Sequence, residues 1–203
     1  SSNINFDEYS SLVDMFEKTC NRFSSNKAFT NFGVSFTFKE IYQKSTNLAS
    51  FFQNELNLSQ GSRVAIMMPN ILQYPISTFG ILKAGLIVEN INPLYTAREL
   101  ETQLINSKSE TIIILENFAN LIEKIIHKTV VKNIIITSAG ELLGIKGFLI
   151  NFVLRKIKKM VPEYKIDKFY TFSKIIERND NYEINKVSSQ LDDVAFLQYT
   201  GGT

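Results

Sequence analysis

The residues best suited to chemistry stand at the end of the chain, where positions 196–203 read Phe-Leu-Gln-Tyr-Thr-Gly-Gly-Thr. An apolar, aromatic run that leads into Thr-Gly-Gly-Thr is a way for a buried strand to deliver pliable backbone to a phosphate. Paired glycines let amide N–H groups crowd toward an anion, and the hydroxyls of Thr200 and Thr203 add donors. The candidate anion-binding residues on these grounds are Thr200, Gly201, Gly202 and Thr203. Such a tetrapeptide by itself is more often an ordinary glycine turn, so the preceding chain has to decide.

Other chemistries are poorly supplied. One cysteine, Cys20, and one histidine, His127, cannot make an internal disulfide or a tetrahedral zinc site of the usual kind. No metal site is expected, and a reducing compartment is. Cys20 reads as a small apolar residue, and His127 as a charge near a helix C-terminus. A net charge of +2 with no basic stripe interleaved with aromatics gives no reason to expect nucleic acid. No segment reaches the roughly 20 apolar residues of a membrane span. With 44% hydrophobic residues, the 203-residue chain can bury a sizeable core.

The elements that would position the glycine loop follow from periodicity. Helical spacing over 12–23 precedes alternation through Phe32, Val34 and Phe36, which predicts a hairpin around Asn31-Phe32-Gly33. Thr37-Phe38-Lys39-Glu40 is a capping-box pattern that opens a second helix. From residue 63 onward, short apolar strands at 63–68, 86–90, 111–115 and 133–137 alternate with helices at 71–84, 98–106 and 118–128, Thr96 capping the second of these. Continuous apolar strands separated by single helices predict a doubly wound α/β domain, its mainly parallel sheet covered on both faces. Ligands of such sheets sit beyond the carboxyl ends of the strands, which is where the terminal loop emerges. Glu89 is an anomaly in its strand and is read as marking an exposed strand end.

Residues 142–166 break the rhythm. On a helical wheel Ile145, Phe148, Leu149, Phe152, Val153, Ile157 and Met160 share a broad apolar arc, with Asn151, Arg155 and Lys158 outside it; the separation is imperfect, since Lys156 and Lys159 fall within the arc and Leu154 opposite it. Pro162 is expected to end the helix. The segment carries Lys146, Arg155, Lys156, Lys158, Lys159 and Lys165 against Glu163 alone. Two readings stay open: a helix packed on the domain with a solvated basic face, or one lying on an anionic membrane surface through Arg155, Lys156, Lys158 and Lys159.

Three blocks in order carry a family likeness. Thr37-Phe38-Lys39-Glu40-Ile41 resembles the first core motif of adenylate-forming enzymes. Ile81-Leu82-Lys83-Ala84-Gly85, continued by Asn92-Pro93-Leu94-Tyr95-Thr96 and Arg98-Glu99-Leu100-Glu101, resembles the second. Tyr199-Thr200-Gly201-Gly202-Thr203 resembles the first half of the third, the phosphate loop. Within that superfamily Met67-Met68-Pro69-Asn70, Gln73-Tyr74-Pro75 and Ala195-Phe196-Leu197-Gln198-Tyr199 are similar to bacterial long-chain fatty-acid CoA ligases.

The resemblance implies that positions 1–203 form the N-terminal part of the AMP-binding domain, with the C-terminal lid domain absent. It further implies activation of a long-chain fatty acid with ATP, Mg²⁺ and CoA, and catalytic residues beyond Thr203, so that this stretch alone is inactive. A cytoplasmic enzyme, peripheral on the inner membrane, and a homodimer are compatible expectations. Rival readings are adenylation of a different carboxylic acid, a membrane-surface module and a non-catalytic nucleotide-binding module.

Overall fold

A computed structural model describes residues 8–178 and 184–199. Helix α1 (Leu12–Arg22) is opened by Ser11, whose side chain accepts from the Asp14 amide. Strands β1 (Lys27–Asn31) and β2 (Val34–Thr37) pair antiparallel. Phe32 and Gly33 between them both have positive φ, the backbone that a tight two-residue hairpin needs. Helix α2 (Phe38–Asn54) begins at the expected capping box: the Glu40 amide donates to Thr37 Oγ1, and the Thr37 amide donates to Glu40 Oε2. Backbone donors left over in the first turn are thereby satisfied.

The remaining strands are β3 (Arg63–Met67), β4 (Ile87–Asn90), β5 (Thr111–Leu115), β6 (Asn133–Thr137), β7 (Tyr170–Thr171) and β8 (Phe196–Gln198). They form one six-stranded sheet in the order β7-β6-β5-β3-β4-β8, and every neighbouring pair is parallel. Helices α3 (Gln73–Lys83), α4 (Ala97–Ser107) and α5 (Ala119–Ile125) supply crossovers. α4 repeats the capping box, with Thr96 and Glu99.

Alternate strand residues divide the core into two layers, as the period of two requires. Val64, Ile66, Val88, Ile113 and Ile135 pack with α2, α3 and α7 (Phe172–Ile176), whereas Ala65, Met67, Ile112, Ile114, Ile134 and Ile136 pack with α4 and α5. The doubly wound sheet expected from sequence is present. β7 and α7 were not anticipated, being only two and five residues long.

The basic segment departs from the single helix expected over 142–166. Helix α6 spans Gly144–Phe152 and widens into a π-helical turn over Val153–Ile157. The Lys158 amide donates to the Val153 carbonyl, and Lys159 then takes a left-handed backbone. The helix thus ends before Pro162, by a wide turn and chain reversal rather than at the proline.

Candidate functional site

The ligand end of the sheet is built from strand termini. β8 runs parallel to β4, with Val88, Glu89 and Asn90 opposite Phe196, Leu197 and Gln198. This register points β8 the same way as its neighbours, so the glycine motif follows from its carboxyl end. Phe196 and Tyr199 are partly exposed, because β8 is an edge strand with one neighbour among the described residues. The apolar run is therefore not the fully buried strand expected from its composition. Thr200, Gly201, Gly202 and Thr203 lie outside the described residues.

Side chains tie this end together. Tyr74, in the first turn of α3, donates its phenolic hydroxyl to Asn90 Oδ1 at 3.0 Å, and Asn90 Nδ2 donates to Gln198 Oε1 at 3.0 Å. From the opposite face Gln103 Nε2 of α4 donates to the Asn90 carbonyl at 3.1 Å. The Tyr199 hydroxyl is pushed above its usual value by burial and then by the Glu89 carboxylate, with Arg63 opposing.

Glu89 corrects an expectation. It is fully buried rather than exposed at a strand end, because it lies on the α4 side of β4, the strand flanked by β3 and β8. Ser109 Oγ donates to Glu89 Oε2 at 2.5 Å, while Oε1 has no partner. Burial pushes the Glu89 carboxyl above its ordinary value, with the Ser109 hydrogen bond the largest opposing effect. Gln103 Oε1 is likewise buried and unpartnered. Nothing in sequence spacing revealed this buried polar cluster.

The basic segment is turned the other way from a helix packed by its apolar arc. Ile145 is 94% and Phe148 80% exposed, and Leu149, Ile157 and Met160 are also exposed. The polar residues face the fold instead. Asn151 Oδ1 accepts from the Gly140 amide at 2.8 Å and its Nδ2 donates to Ser138 Oγ at 2.9 Å. Arg155 makes a forked contact with Glu116, at 2.7 Å from Nη2 and 3.1 Å from Nε, and the Glu116 side chain is almost wholly buried. Hydrogen bonding to Glu116 raises the Arg155 guanidinium above its ordinary value.

The backbones of Gly140 and Gly147 approach so closely that a Cβ at Gly147 would sit 1.7 Å from the Gly140 carbonyl oxygen. Only glycine permits this seat. Of the four proposed surface cations, Arg155 is consequently an anchor into the fold, while Lys156, Lys158 and Lys159 remain exposed together with Lys146. No helix among the described residues is long and apolar enough to cross a membrane.

A parallel sheet with helices on both faces is the doubly wound α/β class of domain, whose ligands sit beyond the carboxyl ends of the strands, and Thr-Gly-Gly-Thr follows β8 in the sequence. Residues 16–203 match the model of the AMP-binding enzyme family, and the chain belongs to that family. Over 203 residues it is 47% identical to a long-chain-fatty-acid–CoA ligase of Escherichia coli O157:H7, a match covering 98% of this chain and 36% of the relative. The ligase of the same description from Haemophilus influenzae is 44% identical, with 97% of this chain and 35% of the relative covered.

Among solved structures, an anthranilate CoA ligase in complex with anthranoyl-AMP superposes with a TM-score of 0.76 at 19% identity, covering 99% of this chain and 34% of that one. At that identity the likeness concerns the fold. The chain spans about a third of the length of the relatives it matches.

Proposed function

We propose that the complete protein activates a long-chain fatty acid with ATP and transfers it to CoA. The observation that carries this reading is identity of 44–47% across nearly the whole chain to relatives described as long-chain-fatty-acid–CoA ligases. In the first step the fatty carboxylate attacks the α-phosphorus of ATP and pyrophosphate leaves. In the second the CoA thiol displaces AMP from the acyl-adenylate.

Extra negative charge gathers on the phosphoryl oxygens, so preorganised donors matter more than a side-chain nucleophile. Tyr199, Thr200, Gly201, Gly202 and Thr203 are assigned to the phosphates, with backbone amides and the two threonine hydroxyls as donors. Mg²⁺ is assigned to the ATP phosphates as their counter-ion.

The test is formation of AMP and acyl-CoA by the full-length polypeptide, with acids from acetate to oleate and with benzoate. Turnover confined to long chains supports the reading. Turnover of benzoate or acetate alone overturns the fatty-acid assignment.

The same reading places the protein in the cytoplasm, at the anionic face of the inner membrane. Its support is the outward apolar face of α6, flanked by the cations Lys146, Lys156, Lys158 and Lys159. Shallow burial of apolar side chains combined with about 1 kcal/mol per well-placed cation suits an interfacial helix. Sedimentation of the full-length protein with phosphatidylglycerol vesicles is expected to fall when these lysines are changed to glutamine, and again with Phe148→Ser. Binding that persists through both changes overturns the assignment, and means that another part of the protein covers α6 or carries the contact.

A further inference from the structure

The side-chain bridge at the sheet's ligand end has a consequence for the loop beyond it. β8 is three residues long and, among the described residues, pairs only with β4. A ladder that short frays easily, so main-chain pairing alone holds its carboxyl end weakly. Yet Tyr199 and the glycine loop start there, and phosphate chemistry depends on donor positions held within a fraction of an ångström.

The Tyr74–Asn90–Gln198 bridge supplies what the ladder lacks. Asn90 and Gln198 are register partners in parallel strands, so their side chains lie next to each other on the α3 face. Asn90 links Gln198 to the Tyr74 hydroxyl through its side chain and to Gln103 of α4 through its carbonyl. One residue therefore couples the helix on each face of the sheet to the last residue of β8. The Tyr74 ring lines a cavity of about 470 Å³ with Ile71, Pro75 and Phe79, while its hydroxyl is committed to Asn90. Ring packing and the hydroxyl's hydrogen bond are thus separable by mutation.

We propose that Tyr74, Asn90 and Gln198 are positioning residues: a hydrogen-bonded relay that fixes the carboxyl end of β8 and thereby the phosphate-binding geometry of the loop it launches. The relay rests on the ATP reading above. It does not require that the activated acid be a fatty acid. None of the three residues contacts the reacting atoms in this assignment.

The experiment is titration of the full-length protein with ATP, comparing wild type with Tyr74→Phe, Gln198→Met and the double variant. Tyr74→Phe keeps the ring in its cavity and removes only the hydroxyl. Loss of one net hydrogen bond corresponds to about a 3- to 10-fold rise in Kd for ATP in each single variant. Because both act through Asn90, the double variant is expected to resemble the worse single one rather than multiply the two effects.

In pyrophosphate exchange the KM for ATP should rise while that for the acid stays unchanged. A merely structural role would not produce that split. Unchanged ATP affinity in variants with wild-type melting, or fully multiplicative effects, overturns the relay. Absence of exchange in the wild type with every acid would sink the ligase reading separately, leaving the ATP titration to decide the relay.

Discussion

Strand β5 and helix α6 are both rich in isoleucine and leucine, yet every residue of Thr111–Leu115 is buried whereas Ile145, Phe148 and Leu149 face outward. The difference lies in their polar neighbours. β5 sits between β3 and β6 with a helix layer on either face, so its apolar side chains have partners in both directions. In α6 and the turn after it, Asn151 and Arg155 hold the best inward partners, Ser138, Gly140 and Glu116. A buried carboxylate without its guanidinium is costly, and burying the apolar arc instead would strand both polar residues. Apolar periodicity therefore reports that a face exists; where that face points depends on which side finds partners.

The sharpest break of this comparison is truncation on each side of it. Ile113→Ala in β5 empties fully buried volume and is expected to lower stability by about 2–5 kcal/mol in urea unfolding. Phe148→Ser removes a larger side chain from α6 and should change stability by no more than about 0.5 kcal/mol. A large loss at Phe148 would show that α6 packs inward. Next in size, Arg155→Ala leaves Glu116 buried without its partner. The guanidinium is about half exposed, so the expected loss is held to about 1–3 kcal/mol. The double variant Arg155→Met with Glu116→Leu should recover much of it.

Glu89 provides a pH test within the sheet. Its folded value is raised, chiefly by burial, so the folded state holds the proton more tightly than the unfolded chain. The stabilisation is complete below the ordinary carboxyl value of 4.5. It is lost as pH rises through the folded value, with a slope of at most about 1.4 kcal/mol per pH unit. Unfolding measured from pH 4 upward should show that decline in the wild type and lack this component in Glu89→Gln. The smallest expected loss at a structural contact is at a helix start: Thr37→Ala removes the cap of α2 and should cost about 1 kcal/mol by the same unfolding measurement, above only the near-neutral Phe148→Ser.

What the sequence made legible is local or periodic. The strands of the sheet, the Thr37 capping box, the hairpin at Phe32-Gly33 and the placement of the glycine motif after a strand all follow from short-range pattern. What it hid depends on distant partners. Asn151 and Arg155 could not be seen to point inward without Ser138 and Glu116 beside them. Glu89 looked like a strand end because its shelter comes from Ser109, 20 positions away. The bridge from Tyr74 to Gln198 joins residues that only the parallel register brings together, and β7 is too short to carry a period.

That this domain presents a phosphate loop for acyl adenylation is tested most directly by fatty-acid-dependent exchange of labelled pyrophosphate into ATP. The full-length polypeptide would be assayed with acids from acetate to oleate, beside the 203-residue chain as control. Exchange that rises with chain length in the full-length protein and is missing from the control is the expected result. No exchange with any acid, in a full-length protein that is folded, would contradict it.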